Sequence, residues 1–131
     1  MRKHIFFLLS IAFINLLACQ PEAKNQGHLW HDIPTITEDG FVNAVIEIPA
    51  GSDKKYEVNN TDGTLEWEVL DNGEKRQIKY LAYPANYGMI PQTYLPKSAG
   101  GDGDPLDIIV LGPAYDRGSI IQCKLIGVLL L

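Results

Sequence analysis

The chain has 131 residues, 46% of them apolar, with 16 acidic and 11 basic side chains and a formal charge of −5. That length suits one domain with a modest core, and the acidic balance excludes nucleic-acid binding through a general electrostatic footprint. Two cysteines are too few for a disulfide framework.

The first residues read as a targeting segment. Met1-Arg2-Lys3-His4 is basic, Ile5 to Leu17 is apolar except for Ser10 and Asn15, and Ala18-Cys19 closes a stretch too short for a spanning helix. Leu16-Leu17-Ala18-Cys19 resembles the bacterial lipobox, in which the cysteine is lipidated and becomes the new first residue. The expectation is a signal peptide over 1–18, lipid on Cys19, and a lipid-anchored, periplasm-facing protein of the bacterial cell envelope. Gln20 in place of Asp directs that expectation to the outer membrane; a secreted or periplasmic protein cleaved nearby is the alternative. Removing 1–18 takes away Arg2 and Lys3 and no acid, which moves the formal charge from −5 to −7. A lipidated Cys19 leaves Cys123 alone, and its alternation with apolar neighbours predicts a buried structural thiol. Pro21 to Gly27 reads as a polar tether within a lead-in over 19–40, and His28 and His31 read as tether or packing.

From there the pattern is that of strands. Phe41 to Ile48 predicts a strand with Val42, Ala44, Ile46 and Ile48 on one face and Glu47 on the other. Lys55 to Val58 alternates, Asn59-Asn60-Thr61-Asp62-Gly63 turns the chain, and Thr64 to Val69 follows with Leu65, Trp67 and Val69 directed at the core. Asp71-Asn72-Gly73 turns again, and Arg76 to Leu81 is expected to return alongside. Prolines 84, 91 and 96 and glycines 88, 100, 101 and 103 predict ordered loop from Ala82 to Gly103. Leu106 to Leu111 predicts a buried strand, and Ser119 to Leu131 one or two more. Short strands, frequent turns and no helical period beyond the leader indicate an all-β core, a barrel or sandwich.

Chemistry concentrates in Asp102-Gly103-Asp104-Pro105-Leu106-Asp107. In an extended segment, side chains two apart project to the same side about 7 Å apart, so Asp102 and Asp104 face one space. Gathered carboxylates repel one another, and oxygen-only ligation points to a hard cation, magnesium, calcium or manganese rather than zinc. An EF-hand register fails, because Leu106, Asp107 and Pro113 fall where an acceptor, a glycine and a glutamate are required. A solvated acidic turn is the plain alternative.

Asp102-Gly103-Asp104-Pro105-Leu106-Asp107-Ile108 resembles the signature of the family I soluble inorganic pyrophosphatases. Upstream, Val45-Ile46-Glu47-Ile48-Pro49, Lys55-Tyr56-Glu57 and Tyr83-Pro84-Ala85-Asn86-Tyr87-Gly88-Met89-Ile90-Pro91 resemble three further motifs of that family, in family order. The resemblance runs from about Phe41 to the last residue, and defines 41–131 as a partial barrel domain. It implies a small five-stranded OB-like barrel and hydrolysis of inorganic diphosphate with several magnesium ions. It further implies Asp102 and Asp107 as metal ligands, and Asp104 at the metal site as the group that orients and deprotonates the attacking water. Glu47 and Glu57 would serve as outer metal or water ligands, and Lys55, Arg76 and Tyr87 as phosphate contacts. Tyr83 would brace the acidic cluster. Arg76 rather than Lys75 or Lys79 is expected because a guanidinium suits bidentate phosphate recognition.

The other end departs from the family. Two further aspartates, a lysine, a later tyrosine and lysine, and the C-terminal helix are all missing after Gly127 to Leu131. The expectation is a truncated chain, weak or inactive by itself, with membrane contact through the lipid alone and room for a homo-oligomer of the full-length protein. The rivals are a non-catalytic metal- or phosphate-binding lipoprotein, and a barrel that binds a partner and whose acidic loop is solvated surface.

Overall fold

The computed structural model describes residues 27–129. The leader, Cys19 and the tether up to residue 26 lie outside the described residues. Among the described residues there is no α-helix, and one turn of 3₁₀ helix, Lys97–Ala99, interrupts an otherwise all-β chain.

The central strand is β1, Val42–Ile48, and all seven of its residues are buried. The expected division into an apolar and a polar face is therefore corrected, for a strand covered on both sides needs apolar residues on both. Val45 packs with Leu29, Trp30, Ile33 and Met89, whereas Ala44 and Ile46 pack with Ile108 and Val110. The lead-in thus supplies three core side chains. Trp30 is fixed there by its indole N–H to the Thr93 carbonyl at 2.9 Å.

The hairpin β2, Tyr56–Val58, and β3, Leu65–Trp67, pairs Tyr56 with Trp67, Glu57 with Glu66 and Val58 with Leu65. Val58 and Leu65 pack on the first cluster. Trp67 does not enter the core as expected, but stacks on Tyr56 at 5.4 Å, and Val69 is exposed. The return of Arg76 to Leu81 is reduced to one isolated bridge, Lys54 with Gln77, and Val69 bridges Lys75 just ahead of it.

The largest correction is β4, Asn86–Met89, inside the stretch expected to be loop. Pro84 and Pro91 bracket this strand without entering it, so neither removes one of its ladder hydrogen bonds. β4 pairs with β1, and a Cβ on Gly88 would overlap the Val45 carbonyl oxygen. Glycine there allows the close approach. The register slips between Ile46 and Ile48, so Glu47 sits at a β-bulge, a device that re-aims a side chain.

Strand β5, Asp107–Val110, pairs with β4, and β6, Ile120–Cys123, pairs with the other side of β1. The sheet order is β5-β4-β1-β6. β5 is half-buried rather than buried, with Ile108 and Val110 inward and Asp107 and Ile109 outward. Cys123 is half-buried against the second cluster, and burial pushes its thiol above the ordinary range. From Lys124 to Leu129 no strand forms.

Candidate active site

Four segments bring carboxylates to one cleft. The bulge on β1 contributes Glu47. Lys55, just before β2, and Glu57 on it stand two apart, with Glu66 of β3 directly opposite Glu57. The loop before β5 contributes Asp102 and Asp104, and the first residue of β5 contributes Asp107. Together with Tyr87 of β4 they line a cleft of about 330 Å³, with Met89, Val58 and Pro105 as its apolar part and Asn59, Asn60 and Thr61 at its edge.

The loop is held by its backbone and by two side-chain oxygens, those of Asp102 and Thr93. The Gly103 N–H donates to the Leu95 carbonyl, and Leu95 N–H donates to the Asp104 carbonyl, both at 3.0 Å. Asp104 N–H donates to Asp102 Oδ1 at 3.1 Å, and Leu106 N–H to Thr93 Oγ1 at 2.9 Å. Gly103 has φ +95°, a conformation open to glycine and strained for other residues.

Glu47 is 6% exposed, and Val58 N–H donates to its Oε1 at 2.8 Å. Burial pushes its carboxyl up to about 7, against the opposing pull of that N–H and of Lys55. Glu57 is also raised, first by burial and then by the Glu68 carboxylate. The Tyr87 hydroxyl is raised by burial and by the Asp107 carboxylate it faces. Lys55 Nζ lies 5.4 Å from the centre of the Tyr87 ring, and Tyr83 packs against that ring at 5.3 Å.

Of the residues singled out in the sequence, Glu47, Lys55, Glu57, Tyr87, Asp102, Asp104 and Asp107 share the cleft. Tyr83 stands behind Tyr87 and lines no part of it. Arg76 also lies outside the lining, its Nη1 donating to both Glu68 oxygens at 2.8 and 3.0 Å. His28 and His31 stand away from the cleft, His28 Nδ1 accepting from the Trp30 and His31 N–H groups. Sequence reasoning missed Glu66 and Glu68. The alternation Leu65-Glu66-Trp67-Glu68 carried their signal, since it places Glu66 on β3 and Glu68 just beyond it on one polar face.

Metal-free protein should show the burial of Glu47 as a pH dependence. The folded carboxyl, at about 7 against 4.5 for the free group, prefers its proton, so its stabilising contribution is complete below about pH 4.5 and is lost as pH rises through about 7. In chelator, urea unfolding should show a loss of up to about 3 kcal/mol from this group between pH 4.5 and 8. Glu47→Gln should flatten that slope; an unchanged slope would place its origin elsewhere.

Chemically, the lining sets Glu47, Glu57, Glu66, Asp102, Asp104 and Asp107 against a single lysine. An all-oxygen donor set of that charge fits hard divalent cations. Among the described residues no three of these groups converge as a ready-made cage for one ion. Magnesium is suited to such spacing, because it retains waters and takes one or two carboxylates together with substrate phosphates.

The inorganic pyrophosphatase family model matches residues 44–131. The inorganic pyrophosphatase of Campylobacter jejuni is 42% identical over 91 residues, covering 69% of this chain and 46% of that protein. That of Gluconobacter oxydans is 45% identical over 89 residues, covering 67% and 45%. The chain thus spans about half the length of the curated relatives it matches. The inorganic pyrophosphatase structure from Thermus thermophilus superposes with TM-score 0.56 at 33% identity, over 72% of this chain and 49% of that one. A vacuolar soluble pyrophosphatase of Trypanosoma cruzi, solved in complex with PPi, superposes with TM-score 0.64 at 27% identity, over 70% and 42%. The all-β, OB-like fold expected from the sequence is the fold of these structures. With the family model running from Ala44 to the final residue and relatives above 40% identical beside it, the chain belongs to the inorganic pyrophosphatase family.

Proposed function

We propose that the full-length protein hydrolyses inorganic diphosphate to two phosphates with magnesium. The observation that carries this reading is the cleft itself, in which six carboxylates face one lysine. Such a lining repels an anion unless cations intervene, and diphosphate is an anion that arrives with them. Magnesium bound there would neutralise the substrate and acidify the attacking water.

The chain's own residues divide the rest. Asp102 and Asp107 hold metal, with Glu47 and Glu57 as outer ligands and Asp107 further oriented by the Tyr87 hydroxyl. Asp104 accepts the proton of the attacking water. Lys55 and Tyr87 contact phosphate from the wall of the cleft, and Tyr83 keeps the Tyr87 ring in place. Arg76 reaches phosphate by leaving Glu68, a half-exposed pair whose net stabilisation is under about 1 kcal/mol. The leader and Cys19 support a lipid-anchored envelope protein, periplasm-facing at the outer membrane, as part of the same proposal. The spread of the carboxylates favours a second reading, a metal- or phosphate-binding lipoprotein without turnover.

Magnesium-dependent phosphate release from diphosphate by the full-length gene product, abolished by chelator, is the expected result. Tight magnesium binding without turnover would replace the enzyme by the binding module. No effect of magnesium on stability or proteolysis would overturn both.

A further inference from the structure

Behind the cleft, Arg117, a residue given no role above, joins the two sheets. It lies in the turn before β6, whose backbone is tied to β1 by Gly118 N–H to the Ile46 carbonyl at 2.7 Å and Ile46 N–H to the Ser119 carbonyl at 2.9 Å. Its Nε–H donates to the carbonyl of Glu47 at 2.9 Å, at the bulge. Its guanidinium lies 3.6 Å from the centre of the Tyr56 ring. Tyr56 stacks on Trp67, and the Trp67 indole N–H donates to the Arg76 carbonyl at 2.8 Å. One column therefore runs from β1 through β2 and β3 to the segment of Arg76.

Two members of that column, Tyr56 and Trp67, are chain neighbours of cleft residues. Tyr56 stands between Lys55 and Glu57, and alternation along the strand sends its ring to the other face from theirs. Trp67 follows Glu66, which lines the cleft, and precedes Glu68, which holds Arg76. Glu57 opposite Glu66 is a like-charge pair that a free hairpin would relax by twisting or sliding. Apart from the packing of Val58 and Leu65, the hairpin is attached to β1 through the Glu47 carboxylate at Val58 N–H, and that carboxylate belongs to the cleft.

We propose that Arg117 is a positioning residue for the metal and diphosphate site, locking the β2–β3 hairpin onto the β1 bulge so that Lys55, Glu57 and Glu47 keep one mutual geometry. This rests on the function proposed above. A guanidinium is required, because one planar group must both donate to a carbonyl and stack on an aromatic face.

The test uses the full-length protein, with magnesium alone as the probe in calorimetry. Arg117→Gln should weaken magnesium binding on the order of tenfold, the usual effect of removing a group that orients a ligand. Loss of a positive charge by itself would instead tighten binding, so the sign separates positioning from bulk electrostatics. Arg117→Lys should fail to restore the affinity, and Tyr56→Leu should reproduce the loss, giving the same reading if Arg117→Gln does not fold. In metal-free Arg117→Gln protein the Val58 amide should exchange its hydrogen at least tenfold faster than in wild type. Wild type that binds no magnesium would overturn the diphosphatase reading and this one together. Wild type that binds while Arg117→Gln binds equally or more tightly, or full restoration by Arg117→Lys, would overturn the Arg117 assignment alone.

Discussion

Asp104→Asn in the full-length protein should lower the rate of diphosphate hydrolysis by roughly 10²- to 10⁴-fold, the range for removing a general base, with its thermal midpoint unchanged. The two halves of that expectation come from different bonds. Asp104 contributes its N–H to Asp102 Oδ1 and its carbonyl to Leu95 N–H, and both are main-chain groups that asparagine keeps. The loop therefore holds its shape. What changes is the side chain in the cleft, from a group that can take a proton to an amide that cannot. Asp102 is a poorer candidate for the same task because one of its oxygens already accepts the Asp104 N–H. Phosphate release and a melt on the same preparation check both halves. A variant that retains more than a third of the wild-type rate would remove Asp104 from the role of base.

Much of this site is legible in the sequence. Lys55-Tyr56-Glu57 and the aspartate run have their periodicity written into them, and a period of two decides which side chains share a face. What was not legible depends on partners distant in sequence. β4 was hidden because prolines at 84 and 91 read as loop, whereas in the fold they stand just outside the paired residues. The bulge at Glu47 is a property of the β1–β4 register, and no local pattern announces it. The resemblance and the fork of its guanidinium point Arg76 to phosphate, yet Glu68, eight residues away just beyond β3, occupies it. Arg117 carried no signal at all, since its partners Glu47 and Tyr56 lie far back along the chain and are brought to it by the β1–β6 pairing. Face assignment is local physics, and which faces meet is not.

The largest loss of stability is expected at a residue with no part in the chemistry. Asn86 is fully buried, and its side chain makes four hydrogen bonds to main-chain groups of three separate segments. Its Oδ1 accepts from Ala50 N–H at 3.1 Å and Tyr115 N–H at 2.9 Å, and its Nδ2 donates to the carbonyls of Val110 at 3.2 Å and Pro113 at 2.8 Å. Every donor and acceptor of the amide is used, so an alanine leaves two N–H groups and two carbonyls to find new partners in or near the core. At about 1 to 3 kcal/mol for each buried group left unpaired, Asn86→Ala should cost about 4 kcal/mol, a large share of the roughly 5 to 15 kcal/mol that holds a domain together. Asn86→Asp should be nearly as damaging, because an oxygen then faces the Val110 and Pro113 carbonyls where an N–H₂ stood, and Asn86→Leu gains volume but no partner. Equilibrium unfolding in urea measures all three, and a loss below about 1 kcal/mol for the alanine would show that water replaces the amide. Because Asn86 precedes Tyr87 on β4, and β4 sets the register of Asp107, the same variants should also lose magnesium affinity, in proportion to the fraction unfolded. An affinity loss larger than that fraction would mean that the hub also tunes the cleft in the folded state.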